Sequence, residues 1–409
     1  MNIWTIKEGE PLPIEECPGR QMRCGIISQM LVERGHSVTW WTSTFLHQTK
    51  RRLRNEETII EINNLLKLHM LHAKTVYKQN ISIRRIVYSW QLGKAFKKSI
   101  KNIEKPDVII CAFPLIDFAY EAMLYAKHNS IPIIIDVRDM WPDIIWEHFP
   151  KFVQGIARYA CKFLTMKTDY VMKNADVVIG VIPKCMEFAV AHGRSLKKDD
   201  EVYYLAYKEK KLSSNEKEKA VKFWKGIGVN KNDFLICWIG QISVQRTDFE
   251  MVCDAIVDIP SCKFIICGDG ISKHELENKY KIYDNIIFPG FLNQEELEVL
   301  MEMASIGVIP IKNTPDFINT INNKAIEYMA GSLCILTTLK GLLRNIIEEN
   351  ELGFYFENAD ELKLYIDKMM KEPEILNRYK KNSRKYYENH FTYNNVYGKL
   401  CDLIEDFSK

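Results

Sequence analysis

The sequence predicts an α/β protein made of two doubly wound domains, on three observations. Short, β-branched apolar runs recur along the chain, and segments of helical length separate them, which is the pattern of βαβ units. Most of these runs are continuous rather than alternating, as expected of parallel strands covered on both faces. A chain of 409 residues also exceeds one ordinary hydrophobic core and suits two domains of about 150–200 residues each.

Ten predicted strands fall into two groups of five. The first group is NIWTI, HSVTWWTS, DVIICAF, IPIIID and ADVVIGVI, and the second is FLICWIG, CKFIICGDG, NIIFPGF, SIGVIPI and CILTT. The highly charged segment EKKLSSNEKEKAVKFWKG lies between the two groups. We therefore expect a first domain at residues 1–200, a second at residues 201–385 and a terminal amphipathic helix at residues 386–409.

The composition is that of a globular protein without low-complexity segments, with 47% apolar and 27% charged residues. No apolar run is long enough for a membrane span, and the start of the chain lacks the zones of a signal peptide, so we expect a cytoplasmic protein. The eleven cysteines include no Cys-x-x-Cys pair and lie mostly in apolar runs. They are expected to be small buried side chains rather than zinc ligands or disulfides.

Positive charge is concentrated in residues 50–105, which hold fourteen Lys or Arg against four Glu. Such a segment could face nucleic acid, an anionic membrane or a phosphorylated substrate, or it could be an ordinary solvated helix face. The interleaved Tyr77, Tyr88, Trp90 and Phe96 favour a membrane surface over nucleic acid. We therefore expect peripheral association with the inner face of a membrane.

In open α/β sheets, ligands bind beyond the carboxyl ends of the strands, so the first strand-end loop is a candidate site. This loop is EGEPLPIEECPGRQMR. Gly19 would let backbone amides approach a ligand, and Arg20 and Arg23 could bind phosphate at a helix N-terminus. The alternative is a turn glycine beside surface arginines.

A second candidate is IDVRDMWPD, where Asp136 and Asp139 follow a buried strand with Arg138 between them. A carboxylate at a strand end can accept a proton or orient a substrate, but an Asp–Arg ion pair explains the same pattern. The spacing is Asp-x-x-Asp rather than the metal-binding Asp-x-Asp, so no metal is expected here. His148, a few residues later, is a further candidate for contact with an acceptor.

Two strands of the second domain end in glycine, in WIGQISVQRTDFE and ICGDGISKHE. Gly240, Gly268 and Gly270 would allow close backbone approach, and Arg246 could neutralise a diphosphate. Tight turns are the alternative explanation for these glycines.

The last candidate is NTINNKAIEYMAG, an Asn-rich loop that leads into a predicted helix near Lys324. Glu327 in its first turns could accept hydrogen bonds from the two vicinal hydroxyls of a ribose. Its position is equally explained by the favourable interaction of an acid with a helix N-terminus.

Together these stretches resemble the retaining, nucleotide-sugar-dependent glycosyltransferases of family 4. The likeness covers nearly the whole chain. It is carried by PGRQMRCGIISQMLVERGHSVTWWTS, DVRDMWPD, WIGQ, GDG, IIFPGFLNQEELEVLMEMASIGVIPI and NNKAIEYMAGS.

The resemblance implies a GT-B fold, with two Rossmann-like domains facing across a cleft, the first for the acceptor and the second for the donor. It also implies sugar transfer, without a cofactor or metal, from a nucleoside diphosphate sugar, for which we expect a UDP-sugar. The implied acceptor is a glycan or lipid-linked hydroxyl, in bacterial surface polysaccharide or glycoconjugate synthesis.

The resemblance also implies roles for particular residues. Glu327 would hold the ribose, Lys324 and Asn323 would lie near the diphosphate, and Arg246 takes the place of the family's diphosphate-binding lysine. The predicted catalytic residues are Glu327, Arg246, Lys324, Asp139 and Asp136. The predicted donor-binding residues are Gly240, Gln241, Gly268, Asp269, Gly270, Asn319, Asn322 and Asn323. The predicted acceptor-side residues are Gly19, Arg20, Arg138 and His148.

Two positions depart from the family pattern. Asn319 stands where the family has its first glutamate, and Gln241 stands where it has an arginine. Asparagine can still hydrogen-bond a sugar hydroxyl but carries no charge, and glutamine cannot neutralise phosphate. Two alternative functions therefore stay open, a non-catalytic scaffold or glycan-binding subunit and a sugar-nucleotide epimerase.

Overall fold

A computed structural model describes residues 1–17, 19–147, 150–314 and 317–407. The chain divides into two compact units. Unit 1 contains Met1–Leu205 together with Val396–Lys409, and unit 2 contains Ala206–Asn395.

Unit 1 is built on an eight-stranded sheet. Its chain contributes strands β1 (Asn2–Ile6), β2 (Ser37–Ser43), β3 (Phe45–Leu46), β4 (Arg51–Arg52), β5 (Thr58–Glu61), β6 (Leu66–Leu71), β7 (Val108–Phe113), β8 (Ile133–Val137), β9 (Val177–Gly180) and β10 (Glu201–Val202). The sheet order is β10-β9-β8-β7-β1-β2-β6-β5, and β3 and β4 form a separate antiparallel pair. Only the edge strand β5 runs antiparallel to its neighbour in the large sheet.

The helices of unit 1 follow its strands in the βαβ manner. They are α1 (Arg23–Glu33), α2 (Ile83–Ser99), α3 (Ile116–Asn129), α4 (Asp143–Glu147), α5 (Lys151–Ala160), α6 (Lys162–Asn174) and α7 (Pro183–Ala191), with a 3₁₀ turn at Ile100–Asn102. Neighbouring residues of β2 pack into the hydrophobic cores on opposite faces of the sheet. Trp41 packs with Trp4 and Phe96 on one face, whereas Trp40 packs with Leu68 and Met70 on the other.

Unit 2 has an all-parallel, six-stranded sheet in the order β13-β12-β11-β14-β15-β16. Its strands are β11 (Phe234–Ile239), β12 (Cys262–Cys267), β13 (Ile286–Gly290), β14 (Ile306–Ile309), β15 (Cys334–Thr337) and β16 (Gly353–Tyr355). Its helices are α8 (Ser214–Gly226), α9 (Phe249–Val257), α10 (Lys273–Tyr280), α11 (Gln294–Met303), α12 (Asn323–Ala330), α13 (Leu342–Glu349), α14 (Ala359–Lys371) and α15 (Pro373–His390). A π-helical turn at Asn394–Gly398 then leads to α16 (Lys399–Asp406), whose Asp402 accepts a hydrogen bond from Arg34 at the end of α1.

The predicted α/β class with two Rossmann-like sheets is confirmed, and each of the ten predicted runs contains a strand. Ten of the eleven cysteines are buried and none is in a disulfide. Among the described residues, no helix combines the length and apolar character needed to cross a bilayer.

The aromatic residues of the basic segment at 50–105 do not form the expected surface. Tyr77, Tyr88 and Phe96 are buried in the core of unit 1, where Tyr77 and Tyr88 pack edge to face. Only Trp90 is substantially exposed, at 45%. Three of the four aromatic rings therefore stabilise the fold and cannot contact a membrane.

Helix α12 is fixed to the sheet of unit 2 through Tyr328. The Tyr328 hydroxyl donates to the carbonyl of Cys237 at 3.3 Å and accepts from the amide of Ile239 at 3.1 Å. Its ring lies directly over Gly307 in β14, where a Cβ would come within 2.3 Å of the ring. These contacts set the position of the residues at the start of α12.

We predict that Gly307→Ala lowers the free energy of unfolding by about 1–3 kcal/mol, because the added methyl group must displace the Tyr328 ring. Urea denaturation of the full chain measures the change. Gly226→Ala at the end of α8 is the matched control, since a Cβ there meets no atom within 4 Å, and it should be neutral or slightly stabilising. Equal stability of Gly307→Ala and the wild type would contradict this packing.

Candidate active site

The carboxyl end of the unit 2 sheet is shaped by glycines that follow its strands. Gly240 follows β11 with φ of +144°, and Gly268 follows β12 with φ of +131°, a region that favours glycine. A Cβ on Gly268 would lie 2.0 Å from the carbonyl oxygen of Gly240. A Cβ on Gly270 would lie 2.1 Å from the carbonyl oxygen of Ile242. The loops therefore approach one another as closely as backbone allows, which a tight turn alone would not require.

Lys324 lies against this glycine-lined edge. A Cβ on Gly240 would come within 2.5 Å of Lys324 Cε, and the Lys324 ammonium is 4.6 Å from the centre of the Trp238 ring. Burial lowers the pKa of Lys324, and the nearby carboxylate of Glu327 only partly offsets this effect. A desolvated ammonium of this kind is stabilised when an anion binds beside it.

Asn322 provides an unused hydrogen-bond donor beside Lys324. Its side-chain oxygen caps α12 by accepting from the amide of Ala325 at 2.9 Å, whereas its side-chain nitrogen is buried and has no partner. Buried donors are rarely left unpaired in folded proteins, and a ligand oxygen would satisfy this one. Asn323, the first residue of the helix, is exposed.

The remaining predicted donor-side residues surround the same edge. Arg246 is exposed, with its guanidinium carbon 5.1 Å from the centre of the Phe317 ring. Gln241 and Asp269 are exposed, and Asp269 accepts from the amide of Gly270 at 2.8 Å. Glu327 and Asn319 are partly buried, the first on α12 and the second in the loop before it.

In unit 1, Asp136 lies fully buried at the end of β8 within a network of charges. It accepts from Arg23 Nε at 2.9 Å and from Arg138 Nε at 2.7 Å. Burial by itself would raise the pKa of Asp136, but the charges of Arg138 and Arg23 outweigh it and lower the pKa. Arg138 in turn donates to Glu10. This geometry favours the ion-pair interpretation of Asp136 over direct contact with a substrate.

Glu10 also occupies the helix N-terminus at which the sequence predicted a phosphate. One oxygen of Glu10 accepts from the amides of Cys24 and Gly25, at 2.9 and 3.4 Å, at the start of α1. Arg23 is buried and donates to the carbonyl of Tyr203 in addition to Asp136. A carboxylate of the chain therefore already lies where the sequence predicted a phosphate, and the binding of phosphate by Arg23 stays a prediction.

The other predicted acceptor-side residues are less constrained. Gly19 and Arg20 are both exposed, and a Cβ on Gly19 would make only an ordinary contact with Pro11, at 3.4 Å. Their roles stay predictions. His148 lies outside the residues that the structure describes.

The predicted residue Asp139 lies in a polar group at the end of β1, which we call the Glu8 cluster: Lys7, Glu8, Lys50, Arg85 and Asp139. Sequence reasoning missed the other four as functional candidates. Glu8 is buried, and one of its carboxylate oxygens has no hydrogen-bond partner. Burial raises the pKa of Glu8, against the opposing charges of Lys7, Arg85 and Lys50. Burial likewise raises the pKa of Asp139. The signal was present, since Lys7 and Glu8 directly follow the first predicted strand.

His47 borders the Glu8 cluster and is held uncharged. Burial, and then the charges of Lys50 and Arg85, lower the pKa of His47 to about 4. Its Nδ1 lies 2.6 Å from the hydroxyl of Tyr77. Within the described parts of the chain, no group of three or more His, Cys, Asp or Glu side chains could hold a metal ion.

The chain, with its two doubly wound units, has the GT-B fold. Residues 222–386, which include all the donor-side residues described above, match the model of the family Glycosyl transferases group 1. Unit 2 therefore carries a glycosyltransferase group 1 domain. No curated protein matches the sequence.

The full chain is similar in fold to several solved glycosyltransferase structures. Sucrose-phosphate synthase from Thermosynechococcus elongatus aligns with a TM-score of 0.70 at 16% identity, covering 99% of this chain and 98% of that one. Anabaena HepE in complex with UDP aligns with a TM-score of 0.66 at 12% identity, covering 99% of each chain. WaaG, described as a glycosyltransferase involved in lipopolysaccharide biosynthesis, aligns with a TM-score of 0.60 at 13% identity and 99% coverage of each chain. At such identities the likeness establishes the fold.

We predict that Asp136→Asn lowers the free energy of unfolding by about 3–5 kcal/mol, because two buried guanidinium groups lose their shared counter-charge. Asp139→Asn is the matched control. Burial raises the pKa of Asp139, so loss of its charge should leave stability unchanged or slightly increased. Denaturant unfolding measures both variants. A fully stable Asp136→Asn protein that loses only activity would instead support a direct catalytic role.

Proposed function

We propose that this protein is a glycosyltransferase that moves a sugar from a nucleoside diphosphate sugar to a hydroxyl of a glycan or lipid-linked acceptor. The observation that carries the proposal is the pairing of a desolvated Lys324 with the unpartnered amide of Asn322 at the N-terminus of α12. Ammonium, amide and helix N-terminus together match the charge and hydrogen-bonding needs of a diphosphate. A UDP-sugar is the expected donor, supported by structures of HepE that contain UDP and UDP-glucose.

The proposed chemistry is electrostatic. As the bond between the sugar and the diphosphate breaks, Lys324 and Arg246 would stabilise the charge that develops on the departing group. Glu327 would hold the ribose of the donor. The acceptor oxygen would form the new bond on the same face of the sugar, and the departing phosphate would accept its proton. Because the new bond would form on the face from which the diphosphate departs, the proposed mechanism is retaining. Because the fixed cations would take the place of a divalent ion, it is also metal-independent.

On the acceptor side, the proposal assigns the binding of hydroxyl groups to unit 1. The unpartnered oxygen of Glu8 and the carboxyl group of Asp139 are suited to hydrogen-bond a sugar hydroxyl at the end of the sheet. Asp136 would act by positioning Arg138, which donates to Glu10 in the loop after β1, rather than by touching the acceptor. The proposed setting is bacterial polysaccharide or glycoconjugate synthesis on the cytoplasmic face of a membrane.

One specific observation keeps a non-catalytic alternative in view. Asn319 and Gln241 remove two charged groups that the family pattern would place at the donor site. A scaffold would bind no nucleoside diphosphate in calorimetry, whereas an epimerase would convert the donor without any acceptor.

We predict that Lys324→Met weakens UDP binding about 10- to 100-fold, because a charge-assisted contact with phosphate is lost. Glu327→Gln should weaken it less, by about tenfold, and should reduce the transfer rate. Isothermal titration calorimetry and a nucleoside diphosphate release assay with a panel of nucleotide sugars measure these effects. Glu277→Gln, a change at a partly exposed position on α10, is the control. UDP binding of wild-type strength in both site variants would refute the site assignment.

We also predict that UDP binding takes up a proton at alkaline pH. Burial lowers the pKa of Lys324 in the free protein, and a bound diphosphate must raise it again, so binding favours the charged form. Affinity should therefore be highest below the pKa of the free protein and fall as pH rises through it, and the fall should begin at a lower pH than for an ordinary lysine. Titrations in buffers of different ionisation enthalpy measure the uptake. The same proton uptake in Lys324→Arg, whose guanidinium does not titrate there, would contradict the assignment.

A further inference from the structure

Helices α5 and α6 display an unusual density of exposed apolar side chains. Five large residues within fifteen positions are between 46% and 84% exposed. They are Phe152, Ile156, Tyr159, Phe163 and Met166. Elsewhere in the described chain, such exposed side chains are scattered singly or in pairs, which is normal for a protein surface.

These side chains form a stripe, which we call the α5–α6 face. Phe152, Ile156 and Tyr159 follow one another at intervals of four and three residues, so they lie on one side of α5. Phe163 and Met166 are three apart and share a side of α6, whereas residues such as Leu164, Thr168 and Val171 of α6 turn into unit 1 and are buried. The stripe is therefore an amphipathic pattern that points away from the core.

The exposed charges of residues 151–168 have a single sign, and the next acid along α6, Asp169, is paired with His192. Residues 151–168 contain Lys151, Arg158, Lys162 and Lys167 and no Asp or Glu. Lys167 donates to Asp117 on the inner side of α6, while the other three cations are exposed. A stripe of aromatic and aliphatic side chains bordered only by cations is the pattern of a helix that lies in the headgroup region of a membrane.

We propose that the α5–α6 face binds the surface of an anionic phospholipid bilayer, with its apolar side chains inserted and Lys151, Arg158 and Lys162 on lipid phosphates. A bilayer supplies both the apolar phase and the negative charge that this face requires. A second copy of the chain fits less well, because a symmetric contact would bring these cations against one another with no acid in the segment to pair them. The proposal is independent of sugar transfer.

The proposed membrane contact lies on the α5–α6 face rather than on most of the basic segment at residues 50–105. Three of that segment's four aromatic rings are buried, as described above. The start of α2 lies beside α6, since Arg85 and Ile86 line a small cavity together with Leu164. This end of the basic segment therefore lies near the inner side of α6 rather than on the α5–α6 face.

We predict that the full chain binds vesicles of phosphatidylcholine with about 30% phosphatidylglycerol far more tightly than vesicles of phosphatidylcholine alone. Phe152→Ser/Ile156→Ser/Tyr159→Ser should weaken binding to the anionic vesicles about 100-fold without lowering the melting temperature, because all three side chains are exposed. Ile282→Ser/Leu364→Ser, which changes side chains 74% and 62% exposed on unit 2, is the matched control and should bind as the wild type does. Vesicle flotation measures binding.

A second pair of variants separates the two basic regions. Lys151→Gln/Arg158→Gln/Lys162→Gln should weaken binding about 10- to 100-fold, and Lys94→Gln/Lys98→Gln/Lys101→Gln, with the same charge loss on exposed positions of residues 50–105, should not. The reverse result would overturn the proposal, as would equal binding to neutral and anionic vesicles. Concentration-dependent dimers that vanish in the Phe152 triple variant, without vesicle binding by the wild type, would assign the face to self-association instead.

Discussion

The close approach of glycine-bearing loops at the carboxyl end of the unit 2 sheet is the constraint on which the donor-side site depends. Gly268 leaves no room for a side chain against the carbonyl of Gly240, and Gly240 leaves none against Lys324. Lys324 is therefore held where its ammonium is partly desolvated. Helix α12, which carries Lys324, is also fixed by Tyr328, whose hydroxyl donates to one backbone group of β11 and accepts from another. A cation that cannot withdraw into solvent gains most from an incoming anion, so packing and electrostatics act in the same direction.

The corresponding end of the unit 1 sheet contains buried ions that are paired with one another. Asp136 and Arg138 are deeply buried ions, and such ions persist only when each has a partner of opposite charge. Arg23 and Glu10 supply those partners, and Glu10 also pairs the free amides at the start of α1. Internal carboxylates already pair with the buried cations of this edge, so an incoming phosphate would compete with them. Buried polar atoms without a partner remain on Glu8, Asp136 and Arg23, and the carboxylate oxygens among them suit a hydroxyl group. The two units thus differ in the ligand that their buried polar groups suit, which is an anion in unit 2 and a hydroxyl group in unit 1.

Sequence pattern predicted the sheets well because ten continuous apolar runs each formed a strand. It missed the six-residue β6, whose apolar run is interrupted by Lys67 and His69, and the four-residue edge strand β5. It also missed β3, β4, β10 and β16, which have two or three residues and are too short for periodicity to register. Sequence pattern also could not show which side chains of a helix face the core and which face solvent. Tyr88 is buried and Trp90 exposed although both lie on α2, and the stripe at Phe152 has the spacing of an ordinary core-facing helix. Nor could it reveal the contact of Arg138 with Glu10, which joins residues 128 positions apart. These features depend on tertiary packing rather than on local pattern.

The two departures from the family pattern are best considered together. Asn319 replaces an acid and Gln241 replaces a base, so the fixed charge expected around the donor is unchanged in sum. Lys324 and Arg246 still place two cations at that edge, beside the carboxylates of Glu327 and Asp269. In the proposed donor site, two cations would still face the diphosphate, while Asn319 and Gln241 would make neutral hydrogen bonds, each worth about 1 kcal/mol rather than the 1.5–3 kcal/mol of a charged one. Amide groups both donate and accept, so under this proposal the two residues would bear mainly on which sugar hydroxyls are recognised.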